Sequence, residues 1–288
     1  MCRLFALHAG RTDVRAEFWL LDAPDSIARQ SESNADGYGM ASLTSADGLM
    51  LIRNPVQAVS STTFEGVSRW AKACQYLVHL RYADTGSVGL QNTHPFFQDG
   101  RVFAHNGVVG DLEKLDERLG DARWMINGET DSERFFSLIT VSIREAGGDV
   151  HAGIVAAVNE LAREYELYSL NFIMASRGHL WAFRYPEHNP LHVLQHAGGS
   201  PLHAESAFGN MSMHTSDAPE EPLVLISSER MDDSGNWEEV QPGELLHVGP
   251  DLVVEREVVV DGPPAHQMIL RGTAAKSQAY ERDEAAAA

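Results

Sequence analysis

Residues 4–7, Leu-Phe-Ala-Leu, leave no polar face on a strand laid through residues 2–8. A strand buried on both faces belongs in the middle of a sheet, so the chain must build its core around its own beginning. Directly ahead of that run stands Cys2. If Met1 is removed, Cys2 becomes the first residue, and one residue carries both a thiol and a free α-amino group. Their ordinary pKa values lie near 8.5 and between about 7.7 and 8.0, so both can work close to neutral pH. A nucleophile activated by its own terminus is an established catalytic device. The plainer alternative is a small buried cysteine.

The rest of the chain alternates short strands and helices. Helix in two pieces is expected over 15–32, with Pro24 near the start of the second. Strands follow at 38–44 and 49–53, joined by Asp47-Gly48. Thr62 and Glu65 have capping-box spacing and open a helix through about Cys74, which fills the core. A strand over 75–81 ends in Arg81. Another over 101–105 stops at the turn dipeptide Asn106-Gly107. Helices are expected at Leu112–Leu119, from Asn127–Glu133 to about Arg144 with Thr130 or Asp131 as N-cap, and at 149–166. Strand-length segments then recur at Leu170–Ala175, His179–Tyr185, Leu191–His196, Leu223–Ser227, Glu244–Val248 and Leu252–Val260. Residues 197–220 read as a long loop. Residues 272–288 are polar and Ala-ended, a tail with nothing to pack. Strands, then helices, then strands, with no repeat or linker, indicate a single α+β domain over 1–271.

The net charge of -19 disfavours nucleic acid and anionic membrane surfaces. Two cysteines, no apolar run of about 18 residues and no signal-peptide pattern point to a reducing cytoplasm. No Cys/His spacing resembles a zinc site.

Cys2, Arg81, His94, Asn106-Gly107 and Asp131 each have an ordinary structural explanation. Together they meet the needs of attack on a carboxamide whose substrate carries an α-amino-acid head. An Asn side chain and a Gly backbone N–H can cradle an oxyanion. Arg offers a planar fork to an α-carboxylate, and Asp pairs with an α-ammonium. At Met1-Cys2-Arg3-Leu4-Phe5, Arg81-Tyr82-Ala83, Asn92-Thr93-His94-Pro95-Phe96, His105-Asn106-Gly107 and Gly128-Glu129-Thr130-Asp131-Ser132-Glu133, the sequence resembles the class II glutamine amidotransferases, which are N-terminal-nucleophile hydrolases. Five motifs in register carry that resemblance, and the later strands resemble short stand-alone members.

The resemblance implies a four-layer αββα fold of two antiparallel sheets between helix layers. It implies Cys2 as nucleophile with its α-amine as base, and Asn106 and Gly107 as the oxyanion hole. Arg81 would bind the glutamine carboxylate, Asp131 the glutamine amine, and His94 would line the site. Relatives commonly have Thr three residues after the Arg. Here Asp84 stands there, and Thr85 is a candidate contact one position later. The implied reaction needs no metal or organic cofactor. Its substrate is glutamine or another γ-glutamyl compound. With no acceptor domain expected after the last strand, ammonia would pass to a synthase subunit or no transfer would occur. A non-catalytic binding protein on the same fold is the alternative from a different class.

Overall fold

In the computed structural model, residues 2–82, 87–199, 203–205, 212–214, 221–232, 236–271 and 275 are described. Thr85, Asp84 and nearly all of the expected tail lie outside them. In chain order the elements are β1 (Arg3–His8), α1 (Ile27–Gln30), β2 (Tyr38–Leu43), β3 (Leu49–Asn54), α2 (Thr62–Trp70), β4 (Gln75–Leu80), β5 (Phe96–Gln98), β6 (Arg101–Val109), α3 (Leu112–Leu119), α4 (Asp131–Glu145), α5 (Val150–Glu164), β7 (Glu166–Ser176), β8 (His179–Phe183) and β9 (His192–His196). There follow β10 (His203–Glu205), β11 (Ser212–His214), β12 (Leu223–Ser227), β13 (Glu238–Glu239), β14 (Glu244–Val248), β15 (Val254–Val258) and β16 (His266–Gln267).

One sheet runs β13-β9-β12-β1-β4-β2-β3, and a second runs β15-β14-β8-β7-β6-β5. All of these neighbours are antiparallel; the two-residue β16 adds to β7 in parallel. β1 lies fourth of seven in the first sheet, between β12 and β4, in the central place its two-sided apolar run demands.

The alternation of β1 divides its residues between two cores. Phe5 and Leu7 pack with Phe18, Trp19, Ile27 and Phe64 from the wide helical turn Phe18–Asp22, α1 and α2. Leu4 and Ala6 face the other way, onto Val102, Ala104, Ile173 and Ala175 of the second sheet. Beyond that sheet, Phe103 and Phe172 pack under Leu115, Phe135, Ile139 and Ile154 of α3, α4 and α5. Three apolar cores therefore separate four layers, helices–sheet–sheet–helices, an α+β αββα sandwich. Among the described residues no helix is long and apolar enough to cross a membrane.

Several expectations are corrected. β6 does not stop at Asn106-Gly107: it continues to Val109, with Asn106 opposite Asn171 and Gly107 opposite Leu170. Pairing with a strand some sixty residues away overrides the local turn preference. The chain turns later, at Gly110 and at Asp111 with φ of 51°. The cap of α2 is Ser61, whose hydroxyl accepts the Phe64 N–H at 3.2 Å, not Thr62. Glu65 pairs instead with Arg69 one turn on. That helix ends at Trp70, because Ala73 bridges to Val14 and Cys74 leads into β4. Cys74 is buried, its thiol donating to the Leu43 carbonyl at 3.3 Å. Within 15–32 only the turn at 18–22 and the short α1 are helical, with Pro24 between them. β7 is longer than expected, and the stretch 197–220 contains the small β10–β11 pair.

Candidate active site

The register of the central strands brings the first candidates together. Arg3 pairs with Leu80 and Leu4 with His79, so the next step of the antiparallel ladder sets Cys2 beside Arg81. Cys2 Sγ lies 3.6 Å from the Tyr82 carbonyl, to which it donates, and accepts the Tyr82 N–H at 3.4 Å. The thiol is half-buried and Arg81 is fully buried. Arg3 pairs with Glu229 at 3.3 Å, fixing the start of β1 to the segment after β12. Burial pushes the Glu229 carboxyl above its usual range.

Alternation along each strand places the polar residues. Leu4 and Ala6 face the inter-sheet layer, and Cys2 has the same parity. Leu77 faces that layer, and so do His79 and Arg81 by parity; on β6, Ala104 does, followed by Asn106. One end of the inter-sheet space is thus polar. Asn106 is 1% exposed, and neither its side-chain nitrogen nor its oxygen has a hydrogen-bond partner among the described residues. An unpaired buried amide costs about 1–3 kcal/mol, so its retention needs a reason. Its neighbour Asn171 is fully engaged. It donates to the Asn189 carbonyl and accepts from Ser169 Oγ at 3.2 Å and the Tyr185 N–H at 3.0 Å. Ser169 Oγ also donates to the Asn106 carbonyl at 3.3 Å.

Gly107 is sterically required. A Cβ there would sit 1.9 Å from the Ser169 carbonyl oxygen and 2.5 Å from His105 Nε2. Any side chain would force β6 off β7.

Asp131 is the first residue of α4, and Thr130 is its N-cap, accepting the Glu133 N–H at 3.3 Å. Asp131 is buried, and its Oδ2 accepts the Val109 N–H at 2.8 Å. This bond ties the helix start to the end of the strand that carries Asn106 and Gly107.

His94 is buried and its ring lies 4.2 Å from that of His79 and 4.5 Å from Phe96. Neither ring nitrogen of either histidine has a hydrogen-bond partner among the described residues, although the His79 ring faces the His105 backbone. Burial, then Arg81 and His105, pulls His79 down to about 3. Burial, then His79, His105 and Arg81, holds His94 well below the usual histidine range. Both rings are therefore neutral beside the Arg81 guanidinium.

The structure thus bonds Cys2 to Tyr82, the residue after Arg81, joins Asp131 to the Asn106 strand, and sets His94 against His79. His79 and Asn171 were not singled out from the sequence; the alternation of β4 and β7 is the signal that could have found them. Thr85 and Asp84 lie outside the described residues. A further set was also missed. Glu129 Oε2 accepts from the Ser87 N–H at 3.1 Å, from Ser87 Oγ at 3.1 Å and from Asn92 Nδ2 at 3.2 Å. Arg81 Nη1 in turn donates to the Ser87 carbonyl at 3.1 Å.

Comparison with known proteins supplies an independent finding. Residues 1–259 match the family described as glutamine amidotransferases class-II. The YafJ protein of Escherichia coli (strain K12), provisionally named a glutamine amidotransferase, is 26% identical over 220 residues, 73% of this chain and 83% of that protein. A solved glutamine aminotransferase class-II domain protein from Silicibacter pomeroyi superposes with a TM-score of 0.57 at 21% identity, covering 90% of this chain and all of that one. The glutamine phosphoribosylpyrophosphate amidotransferase of Bacillus subtilis, solved with ADP and GMP, gives a TM-score of 0.65 at 16% identity. It covers 91% of this chain, which spans half the length of that enzyme. Similarity at these identities establishes a shared fold.

Proposed function

Because this chain belongs to the class II glutamine amidotransferases, we propose that it hydrolyses the side-chain amide of glutamine through a γ-glutamyl thioester on Cys2. The observation that carries this reading is Asn106, whose buried side-chain amide has no hydrogen-bond partner among the described residues and which strand parity turns toward the same inter-sheet layer as Cys2. A substrate oxyanion gives that amide its missing partner. One such donor is typically worth about 2.7–4 kcal/mol of barrier.

The steps follow from the groups in place. With Met1 removed, the Cys2 α-amine takes the thiol proton. The thiolate attacks the δ-carbon of glutamine, and the oxyanion rests on Asn106 Nδ2 and the Gly107 N–H. Collapse breaks the C–N bond, and the returned proton lets ammonia leave. Water then attacks the thioester, giving glutamate and the free thiol. Arg81 holds the substrate carboxylate and Asp131 its ammonium, so a free amino-acid head is selected over a peptide interior. Thr85 is retained as a candidate carboxylate contact. None of these steps calls on a metal or organic cofactor. A synthase subunit that consumes ammonia is the partner class this chemistry fits. The two free thiols suit a reducing compartment such as the cytoplasm.

The test is ammonia and glutamate release from glutamine, measured beside a panel of γ-glutamyl amides and dipeptides. Glutamine should be turned over, and Cys2→Ala should abolish that turnover. Full turnover by Cys2→Ala overturns the thioester. Turnover confined to a γ-glutamyl dipeptide would replace glutamine with that substrate. A chain blocked from losing Met1 should be as inactive as the Cys2→Ala variant.

A further inference from the structure

Resting on the proposed glutamine site, we propose that Glu129 is a positioning residue: its carboxylate sets the distance between Arg81 and Asp131, the two groups assigned to the substrate head. Arg81 stands at the end of β4 and Asp131 at the start of α4, in different sheets' territory. Nothing in strand pairing relates them directly. Glu129 does. It lies two residues before Asp131, and its Oε2 accepts from the backbone and the hydroxyl of Ser87. Ser87 is the residue whose carbonyl accepts the Arg81 guanidinium. The route from one head-binding group to the other is therefore Arg81, Ser87, Glu129, Thr130, Asp131.

Asn92 doubles the tie. It is fully buried, its Oδ1 accepts the Glu129 N–H at 2.8 Å, and its Nδ2 donates to the Ser87 carbonyl at 3.0 Å and to Glu129 Oε2. The approach is close enough that a Cβ on Gly128 would collide with Asn92 Oδ1. Glu133 accepts the Gly128 N–H at 2.6 Å, holding the same segment from the helix side. The Ser87 N–H, then Asn92 and the Ser87 hydroxyl, hold the Glu129 carboxyl below its usual range. Glu129 itself is exposed and touches neither Cys2 nor Asn106 in any of these bonds. Its loss should therefore weaken recognition of the head and spare the chemistry.

Two alkylating probes separate those effects. 6-Chloro-5-oxonorleucine carries the glutamine head; the Cys2 thiolate displaces chloride and forms a thioether. Iodoacetamide lacks the head; the thiolate displaces iodide. Rates of Cys2 labelling are followed by intact mass. For Glu129→Ala we expect the half-saturating concentration of the headed probe to rise about tenfold. The maximal labelling rate and the iodoacetamide rate should stay within about twofold. Glu129→Gln keeps an oxygen acceptor and should recover most of the loss; Ser87→Ala, which removes one of three donors, should cost about twofold. Half-saturation unchanged in Glu129→Ala overturns the proposal, as does an equal slowing with both probes. If the wild-type protein shows no preference for the headed probe, the glutamine site falls and this role with it. A preference kept intact in Glu129→Ala removes only the role of Glu129.

Discussion

The two ends of the inter-sheet layer are built from the same strands and could hardly differ more. At one end the inward positions of β1, β4, β6 and β7 hold Leu4, Ala6, Leu77, Val102, Ala104, Ile173 and Ala175, all fully buried and apolar. Two residues along, and four for Arg81, the same faces carry Cys2, His79, Arg81, Asn106 and Asn171. The apolar end obeys the ordinary rule that an interior is close-packed and dry. At the polar end the side-chain amide of Asn106 has no hydrogen-bond partner among the described residues, nor do the ring nitrogens of His79 and His94. Each unpaired group works against folding. The difference teaches that the apolar end carries the stability and the polar end gives some of it up for a site.

The strongest blow to that comparison comes from the apolar end. Leu4→Ala should cost about 2–5 kcal/mol in urea unfolding, while the folded fraction keeps its affinity for glutamine. A loss of affinity without loss of stability would mean the two ends are not separable. A smaller effect is expected at His79. Its folded pKa is lowered to about 3 from 6.5, so the unfolded chain takes up a proton that the folded one refuses between those values. Stability contributed by the neutral ring is present above pH 6.5 and is lost as pH falls below it, by about 1–2 kcal/mol between pH 7 and 5. His79→Phe should flatten that part of the unfolding profile. A profile of unchanged slope would show that His79 protonates freely in the folded protein. Smallest in stability is Cys2→Ala, under about 1 kcal/mol because the thiol is only half-buried and the change removes a single heavy atom. Its urea midpoint should match the wild type's even though turnover is gone.

Much of the framework was legible where local pattern and tertiary context agree. The two-sided run in residues 4–7 demanded a central strand, and β1 is one. The charged helix Leu112–Leu119 has the expected bounds. Reading failed where a distant partner decides. Asn106-Gly107 looks like a turn until β7 arrives to pair with it. Ser61 and Thr62 offer the same hydroxyl one position apart, and only the backbone path chooses between them. At the proposed site, Cys2, Arg81, Asn106 and Asp131 drew attention in the sequence because their side chains suit the proposed substrate. Glu129 could not: its partners Ser87 and Asn92 lie 42 and 37 positions away, and its work is geometric. His79 was passed over for a related reason, since only strand parity turns it toward the polar end.

The central claim, that the polar end trades stability for a site, is tested most directly by Asn106→Ala, with kcat for glutamine hydrolysis and the urea midpoint measured on the same sample. The account predicts that kcat falls about 10²–10³-fold while the midpoint stays level or rises, because an unpaired amide has left the interior. A variant that unfolds more easily yet keeps its turnover would contradict it.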